Sequence, residues 1–481
     1  MTARVPRGLR RTPAGPPATL TPRLFAALVA GKAAGTATRV LGRGGGTSLP
    51  GMVARRIDPT VLETIVRRRG VPVVAITGSN GKTTTARFTA ALLRGEDVAA
   101  SYHPAGANLV QSVTSLAVNF ADLRGKLPAG VLVAEVDEGA LPHVAPELAP
   151  RVVLVTDLFR DQLDRFGELY AVADAIESVA RGLPPEAALV SNADDPLVAN
   201  MAPAIAARRV TFGFELGHDT DRITRAADTI RCPRCRADLE YRHVYLSHMG
   251  DYRCPACSFA RPTPDVAVTS VEVEGIGSTR FSVRLPSGAT LDVRVPQAGI
   301  HIAYDGAAAI AALVALGVEP EHAAASLAAV GPAFGRLEQI QAGDKRVILG
   351  FAKNPTSFNA NLRALATEGE PRQLLVAASN TLVDGEDFAW LWDVDFESAA
   401  SQVQRATVSG TRADELANRL KYAGVDPGRM TVVEDRRLAL DAALDAVGPG
   451  GTLTILAGYT PTIELREEMH RRGWVGRYWQ A

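Results

Sequence analysis

The chain has 481 residues, enough for about three domains, and its 52 Lys+Arg against 52 Asp+Glu leave no net charge. That balance argues against a nucleic-acid binder, which needs clustered excess positive charge, and 47% hydrophobic with 22% charged residues excludes a chain disordered throughout. The longest apolar run, Ala307–Leu316, is too short to span a bilayer, and the Arg-rich start (Arg4, Arg7, Arg10, Arg11) leads into Pro and Gly rather than a signal core, which points to a cytoplasmic enzyme.

Residues 1–22 read as a flexible basic arm, and residues 23–42 have the Ala/Leu periodicity of a helix that Gly42–Gly46 interrupts. From about residue 55 strands alternate with helices. Val71–Thr77, Val131–Val136, Val152–Thr156 and Ala188–Ser191 are short apolar strands, and Thr83–Arg94 and Gly167–Arg181 are helical. Such alternation predicts an α/β domain with a parallel sheet covered on both faces. Val266–Val295 alternates apolar and polar residues as an antiparallel meander would, and Ala303–Leu316 is an Ala-rich helix. Near Gly331–Gly335 a second α/β pattern begins, with strands at Arg346–Gly350, Gln373–Ala378, Ala406–Ser409, Met430–Val433 and Thr452–Ala457. The expected division is an arm and helix over 1–54, a central domain over 55–332 and a smaller C-terminal α/β domain over 333–481.

All four cysteines fall in an insert at 228–262, as Cys232-x2-Cys235 and Cys254-x2-Cys257. Two such knuckles supply four thiolates to a closed zinc site, whose role is structural because no position stays open for substrate. Two disulfides would need an oxidising compartment. With all four bound to zinc, no cysteine remains as a nucleophile.

The strand Val71–Thr77 runs into Gly78-Ser79-Asn80-Gly81-Lys82-Thr83-Thr84 and then a helix. Backbone N–H groups of such a loop and the helix N-terminus surround an anion. Lys82 would reach the β/γ-phosphates of ATP, and the Thr83 hydroxyl would hold Mg²⁺. The strict phosphate-loop pattern is not met, since Ile76 stands where its first glycine belongs. Glu135, at a strand's C-terminal end, is the expected Mg²⁺ ligand. Asp137 and Glu138 either join the site or form a solvated loop.

TGSNGKTTT, the strand-end EVDE, SNADDP (Ser191–Pro196) and GRLE (Gly335–Glu338) together resemble the Mur ligases. LFRDQLDRFGE (Leu158–Glu168), the ribbon insert, KNPTSFN (Lys353–Asn359) and DGEDFAWLWDVDFE (Asp384–Glu397) are similar to the MurT branch of that family, the ligase-type subunits of lipid II isoglutaminyl synthase. The resemblance implies ATP-dependent amidation of the α-carboxylate of D-glutamate in the lipid II stem peptide, through an acyl phosphate. Ammonia would come from a GatD-like glutaminase partner in a heterodimer. It also implies work at the inner face of the plasma membrane, on lipid II as a membrane-bound substrate.

By position, the resemblance places Asn108 near the γ-phosphate, Arg336 on a nucleotide phosphate and Lys353 on the acyl phosphate. An aspartate lent to the partner's Cys-His-Asp triad would come from Asp384, Asp387, Asp393 or Asp395, with Asp393 favoured. Some family features are missing. Gln162 replaces a metal-side histidine, and Asp174 falls where the family has a carbamylated lysine, either replacing its charge or simply facing solvent. Gly299–Asp305 lacks the asparagines of the adenine-side pattern, leaving Tyr304 to stack on a base or to pack. A uridine-nucleotide-binding N-terminal domain does not fit before residue 71. The competing expectations are an amino-acid-adding Mur or folylpolyglutamate-type ligase, and a non-catalytic nucleotide-binding scaffold with a zinc-ribbon adaptor.

Overall fold

The computed structural model of the protein describes residues 20–40, 47–103, 108–128, 130–160, 169–201, 204–223, 227–331, 335–366, 372–381 and 384–476. Its larger sheet contains β1 (Val73–Thr77), β2 (Ala100–Ser101), β3 (Val131–Glu135), β4 (Val152–Val155), β5 (Ala188–Asn192) and β6 (Arg208–Phe214). A separate hairpin, β7 (Glu240–Leu246) and β8 (Met249–Arg253), precedes β9 (Val266–Glu274), β10 (Ser278–Arg284) and β11 (Thr290–Val295). The nine strands of the large sheet run β11-β10-β9-β6-β5-β4-β1-β3-β2. From β2 to β9 the pairing is parallel, and β9 to β11 form the expected antiparallel meander.

Every residue of β1 is buried, as expected of a central strand with helices on both faces. The chain leaves β1 on one side, toward β2 and β3, and returns to its other side as β4. In an open α/β sheet the crevice beyond such a switch point is where ligands sit. The C-terminal ends of β1, β3 and β4 open onto it, carrying the phosphate loop, Glu135 and Asp157.

On one face lie α1 (Pro22–Val40), α2 (Leu49–Ile57), α3 (Val61–Arg69) and α5 (Val110–Phe120). Leu24, Leu28, Leu62 and Ile65 share a core there with Val73, Leu132 and Val153. α2 crosses the expected boundary at residue 54, so the N-terminal helices are built into the central body. The reason is a close crossing. A Cβ on Gly51 would lie 2.0 Å from the Gln111 carbonyl oxygen, and its N–H donates to Ser115 Oγ at 2.7 Å. The other face is covered by α4 (Lys82–Gly95) and by the Ala-rich helix Ile300–Leu316, which is buried along nearly its whole length.

The second sheet contains β12 (Arg336–Ala342), β13 (Lys345–Phe351), β14 (Arg372–Ala377), β15 (Val403–Ser409), β16 (Met430–Val432) and β17 (Thr452–Ala457). Its order is β12-β13-β17-β14-β15-β16, parallel except for β12. β12 escaped the reading of the sequence because an edge strand with polar Glu338, Gln339 and Gln341 lacks an apolar run. Glu338 of GRLE instead takes a two-pronged ion pair from Arg466, at 2.7 and 2.9 Å.

Candidate active site

Gly78 and Gly81 have φ of +126° and +76°, and neither has room for a side chain. A Cβ on Gly78 would lie 2.2 Å from Thr156 Oγ1, and one on Gly81 2.1 Å from Asp305 Oδ1. Ile76, in place of the strict pattern's first glycine, sits inside β1 with none of its surface exposed. The loop is clamped from the end of β4. Asp157 accepts the Ser79 N–H on its backbone oxygen at 3.0 Å and the Asn80 N–H on its carboxylate at 2.8 Å. Ser79 Oγ accepts the Phe159 N–H at 2.9 Å and donates to the Phe159 carbonyl at 3.0 Å.

At the start of α4 the buried Lys82 donates to the Gly78 carbonyl, to the Ser79 carbonyl at 3.3 Å and to the Glu138 carboxylate at 3.2 Å. Thr83 Oγ1 donates to Glu135 Oε1 at 3.1 Å. Burial raises the Glu135 pKa above the usual carboxylate range, against the opposing pull of Lys82, Arg336 and Lys353. Its second oxygen is buried with no hydrogen-bond partner among the described residues. A hydroxyl and a half-satisfied carboxylate meeting here suit a small divalent cation such as Mg²⁺. Thr84 and Thr85 turn inward to Asp305, whose pKa burial raises strongly.

Asp137 and Glu138 are not a solvated loop. Both are buried, Glu138 as the counter-ion of Lys82 and Asp137 as an acceptor for the Gly139 N–H at 3.1 Å. The backbone oxygen of Asn108 accepts the Asp137 N–H at 2.9 Å, which sets that residue beside the strand-end acids. Asp157 was not singled out from the sequence. Burial raises its pKa to about 7, although the Asn80 N–H bond pulls the other way. The signal was there in ValThrAspLeu, an acid directly after a strand adjoining β1.

The second sheet closes over this crevice. Asn354 Nδ2 donates to Asn80 Oδ1 at 3.0 Å. Arg336 stands over the Phe351 ring at 5.4 Å and acts electrostatically on Asp305 and Glu135, while burial lowers its own pKa. Between the sheets lies a cleft lined by Asn80, Asp157, Gln297, His301, Asp305 and Arg336 among others. His301 Nδ1, Gln297 Oε1 and Asp305 Oδ2 are buried there without partners among the described residues. Burial holds His301 down to about 4, so its imidazole is neutral at ordinary pH. These unspent groups, next to a phosphate loop, fit a nucleotide base. Tyr304 packs rather than offering a free face: it stacks on Phe214 at 3.8 Å and donates to Asp194 at 2.7 Å.

The remaining candidates lie elsewhere. Gln162 falls outside the described residues, as do 332–334 at the expected domain boundary. Asp174 faces solvent from the helix Leu169–Arg181. Asp393 accepts from Arg160 at 3.2 Å, Asp395 from Arg222 at 2.9 Å, Asp384 from the Thr460 N–H at 2.8 Å and Asp387 from the Ala389 N–H at 2.8 Å. In the insert, the sulfurs of Cys232, Cys235, Cys254 and Cys257 all lie within 4.8 Å of one another. Zn–S bonds of ~2.3 Å in a tetrahedron need sulfurs about 3.8 Å apart, so the donor set suits a structural zinc ion.

Comparison with known proteins agrees with this geometry. Residues 76–254 match the Mur ligase middle domain, and residues 351–462 match the family described as MurT ligase C-terminal. The chain is 30% identical over 459 residues to a Staphylococcus aureus protein named lipid II isoglutaminyl synthase (glutamine-hydrolyzing) subunit MurT, covering 93% of this chain and 98% of that one. It is 29% identical to the Streptococcus pneumoniae protein of that name, over 92% and 96% of the two chains. Among solved structures, a pseudomurein peptide ligase type C from Methanothermus fervidus superimposes with a TM-score of 0.65 at 22% identity, covering 85% of this chain and 81% of that one. A Mycobacterium tuberculosis folylpolyglutamate synthase does so at 0.59 and 17%, covering 93% and 98%. At these identities the structural likeness speaks for the fold alone.

Proposed function

The chain belongs to the MurT family of Mur-type ligases, and from that premise we propose that it amidates lipid II with ATP as the synthetase subunit of a lipid II isoglutaminyl synthase. The observation that carries this reading is the meeting of Lys82, Thr83 and Glu135 beneath a C-terminal sheet of the MurT kind. The substrate group is the α-carboxylate of D-glutamate in the stem peptide. A carboxylate is a poor electrophile, and transfer of the γ-phosphoryl group gives it a phosphate leaving group.

In this reading Lys82 leaves Glu138 for the β/γ-phosphates, and the N–H groups of Gly81 through Thr84 cradle them. A Mg²⁺ ion held by Thr83 and Glu135 would neutralise phosphate charge. Arg336, Lys353 and Asn108 face the transferring group, and the second sheet keeps water from the acyl phosphate. Ammonia adds to the acyl carbon, the oxyanion collapses, and inorganic phosphate leaves as the amide forms.

All four cysteines lie together in the insert, so a glutamine-hydrolysing thiol has to come from another chain. We assign that role to a GatD-like glutaminase partner, with Asp393 completing its triad. The geometry suits the assignment, since one Asp393 oxygen is held by Arg160 and the other carries no bond among the described residues. The test is amide formation on lipid II with ammonium and this chain alone, then with glutamine and the partner added. The reading expects product in both, and none with Lys82→Ala. Ligation of a free amino acid instead would overturn it.

A further inference from the structure

Charge along the chain is not evenly spread. Residues 1–57 contain nine Arg and one Lys but no Asp or Glu, so a chain of zero net charge carries +10 in its first 57 residues and −10 in the rest. Asymmetry of this kind has a cost in self-repulsion and points to a polyanionic partner surface.

The same region carries an unusual apolar surface. The exposed side of α1 is Pro22, Phe25, Ala26, Val29, Ala33, Thr36, Ala37 and Val40, which follow one another at helical spacing without a single charge. Arg23 flanks this stripe on one side and Arg39 on the other, both exposed. Surface helices of water-facing proteins put charged residues on such a face. Here Phe25 is 44% exposed and Val40 79%, and the adjoining α2 adds Met52 at 52%. Among the described residues, six exposed large apolar side chains fall between Leu20 and Met52, and three more lie on or beside α5, against which α2 packs.

The helix is also held rigidly. Gly31 of α1 meets the Pro50 carbonyl, where a Cβ would lie only 2.9 Å away, and Lys32 donates to the Asn119 carbonyl at 3.0 Å. No helix among the described residues is long and apolar enough to cross a membrane. An uncharged apolar stripe rimmed by arginines is the make-up of a helix that lies in the plane of a lipid interface. A nucleic acid would use the arginines but has nothing to offer Phe25, Val29 and Val40.

We propose that the outer face of α1, in a stretch of chain without acids and with Asp122 the acidic neighbour that acts on its Lys32, docks the protein onto an anionic bilayer surface, the apolar stripe entering the headgroup layer and the arginines pairing with lipid phosphates. Its purpose rests on the lipid II reading, since a lipid-linked substrate has to be met at the membrane, but the docking itself is testable without lipid II.

The experiment is co-sedimentation of the full chain, alone and with its glutaminase partner, with phosphatidylglycerol/phosphatidylcholine vesicles and with phosphatidylcholine vesicles. The expected result is binding to the anionic vesicles that weakens with salt. Arg23→Gln with Arg39→Gln should weaken it by about 25-fold, and Phe25→Glu with Val29→Glu by roughly tenfold or more. Thermal unfolding checks that both double variants are folded. Equal binding to both vesicle types, or a folded variant that sediments like the parent chain, would overturn the proposal. So would variants that keep vesicle binding and lose the partner, because the face would then be a protein interface. A chain that binds vesicles in the expected pattern yet never amidates lipid II would sink the functional reading and still support this surface.

Discussion

Glu138→Gln tests whether this acid is a stand-in for the nucleotide's phosphates. Only 6% of the Lys82 side chain and 8% of the Glu138 side chain are exposed, so the pair is a buried one. Deleting one charge of a buried pair costs about 3–5 kcal/mol when the other is stranded. Lys82 would not be stranded, because it keeps the Gly78 and Ser79 carbonyls and the attraction of Glu135 and Asp157. The expected loss is therefore smaller, ~1.5–3 kcal/mol, the range of a hydrogen bond to a charged group. At 2–4 °C per kcal/mol for a body of this size, that lowers Tm by roughly 3–12 °C. Mg²⁺ and ATP or ADP supply the missing negative charge, so the variant should melt close to the parent chain once nucleotide is bound. The assay is thermal unfolding with and without nucleotide. A deficit that stays the same in both states would refute the argument, leaving Glu138 as an ordinary structural partner.

Asp393→Asn should cut glutamine-driven amidation by about 10³–10⁴-fold, the scale of losing the orienting acid of a triad, and leave ammonium-driven amidation intact. Arg160→Ala removes the half-exposed pair with Asp393, worth about 0.2–1 kcal/mol, together with the Asp228 pair, so the same comparison should show at least a ~1.4–5-fold loss. Asp157 binds its proton more tightly in the folded protein than in the unfolded chain, so its contribution to stability is largest below the unfolded pKa and falls as pH rises toward about 7. Asp157→Asn should therefore flatten the stability–pH curve over that window, by up to about 1.4 kcal/mol per pH unit, as denaturant titrations at several pH values would show. Metal analysis should find one zinc per chain, and a strong chelator should expose the 228–262 insert to protease while lowering Tm.

The phosphate loop could be read from the sequence because its cues are local: an apolar strand, two glycines and a Lys-Thr pair within six residues. The cysteine cluster was legible for the same reason. Glu138 was not, since three acids in four residues give no hint which of them turns back toward Lys82. Likewise Tyr304 could have stacked on a base until Phe214 and Asp194 were found to occupy its ring and hydroxyl. The N-terminal helices looked like an appendage because their partner, α5, lies some sixty residues further along the chain.

What local cues leave hidden is which partners the run Asp157–Arg160 takes, because each of its contacts is made over a long stretch of chain. Asp157 and Phe159 grip Asn80 and Ser79 of the phosphate loop, while Arg160 reaches Asp393 in the second domain. Arg160 also pairs with Asp228, at the base of the cysteine insert. Four consecutive residues therefore touch the nucleotide site, the insert and the aspartate assigned to the partner. Through this run the phosphate loop, the insert and Asp393 are joined by contiguous hydrogen bonds and ion pairs. That link ties the insert to the second domain: Asp228 takes one nitrogen of the Arg160 guanidinium while another reaches Asp393.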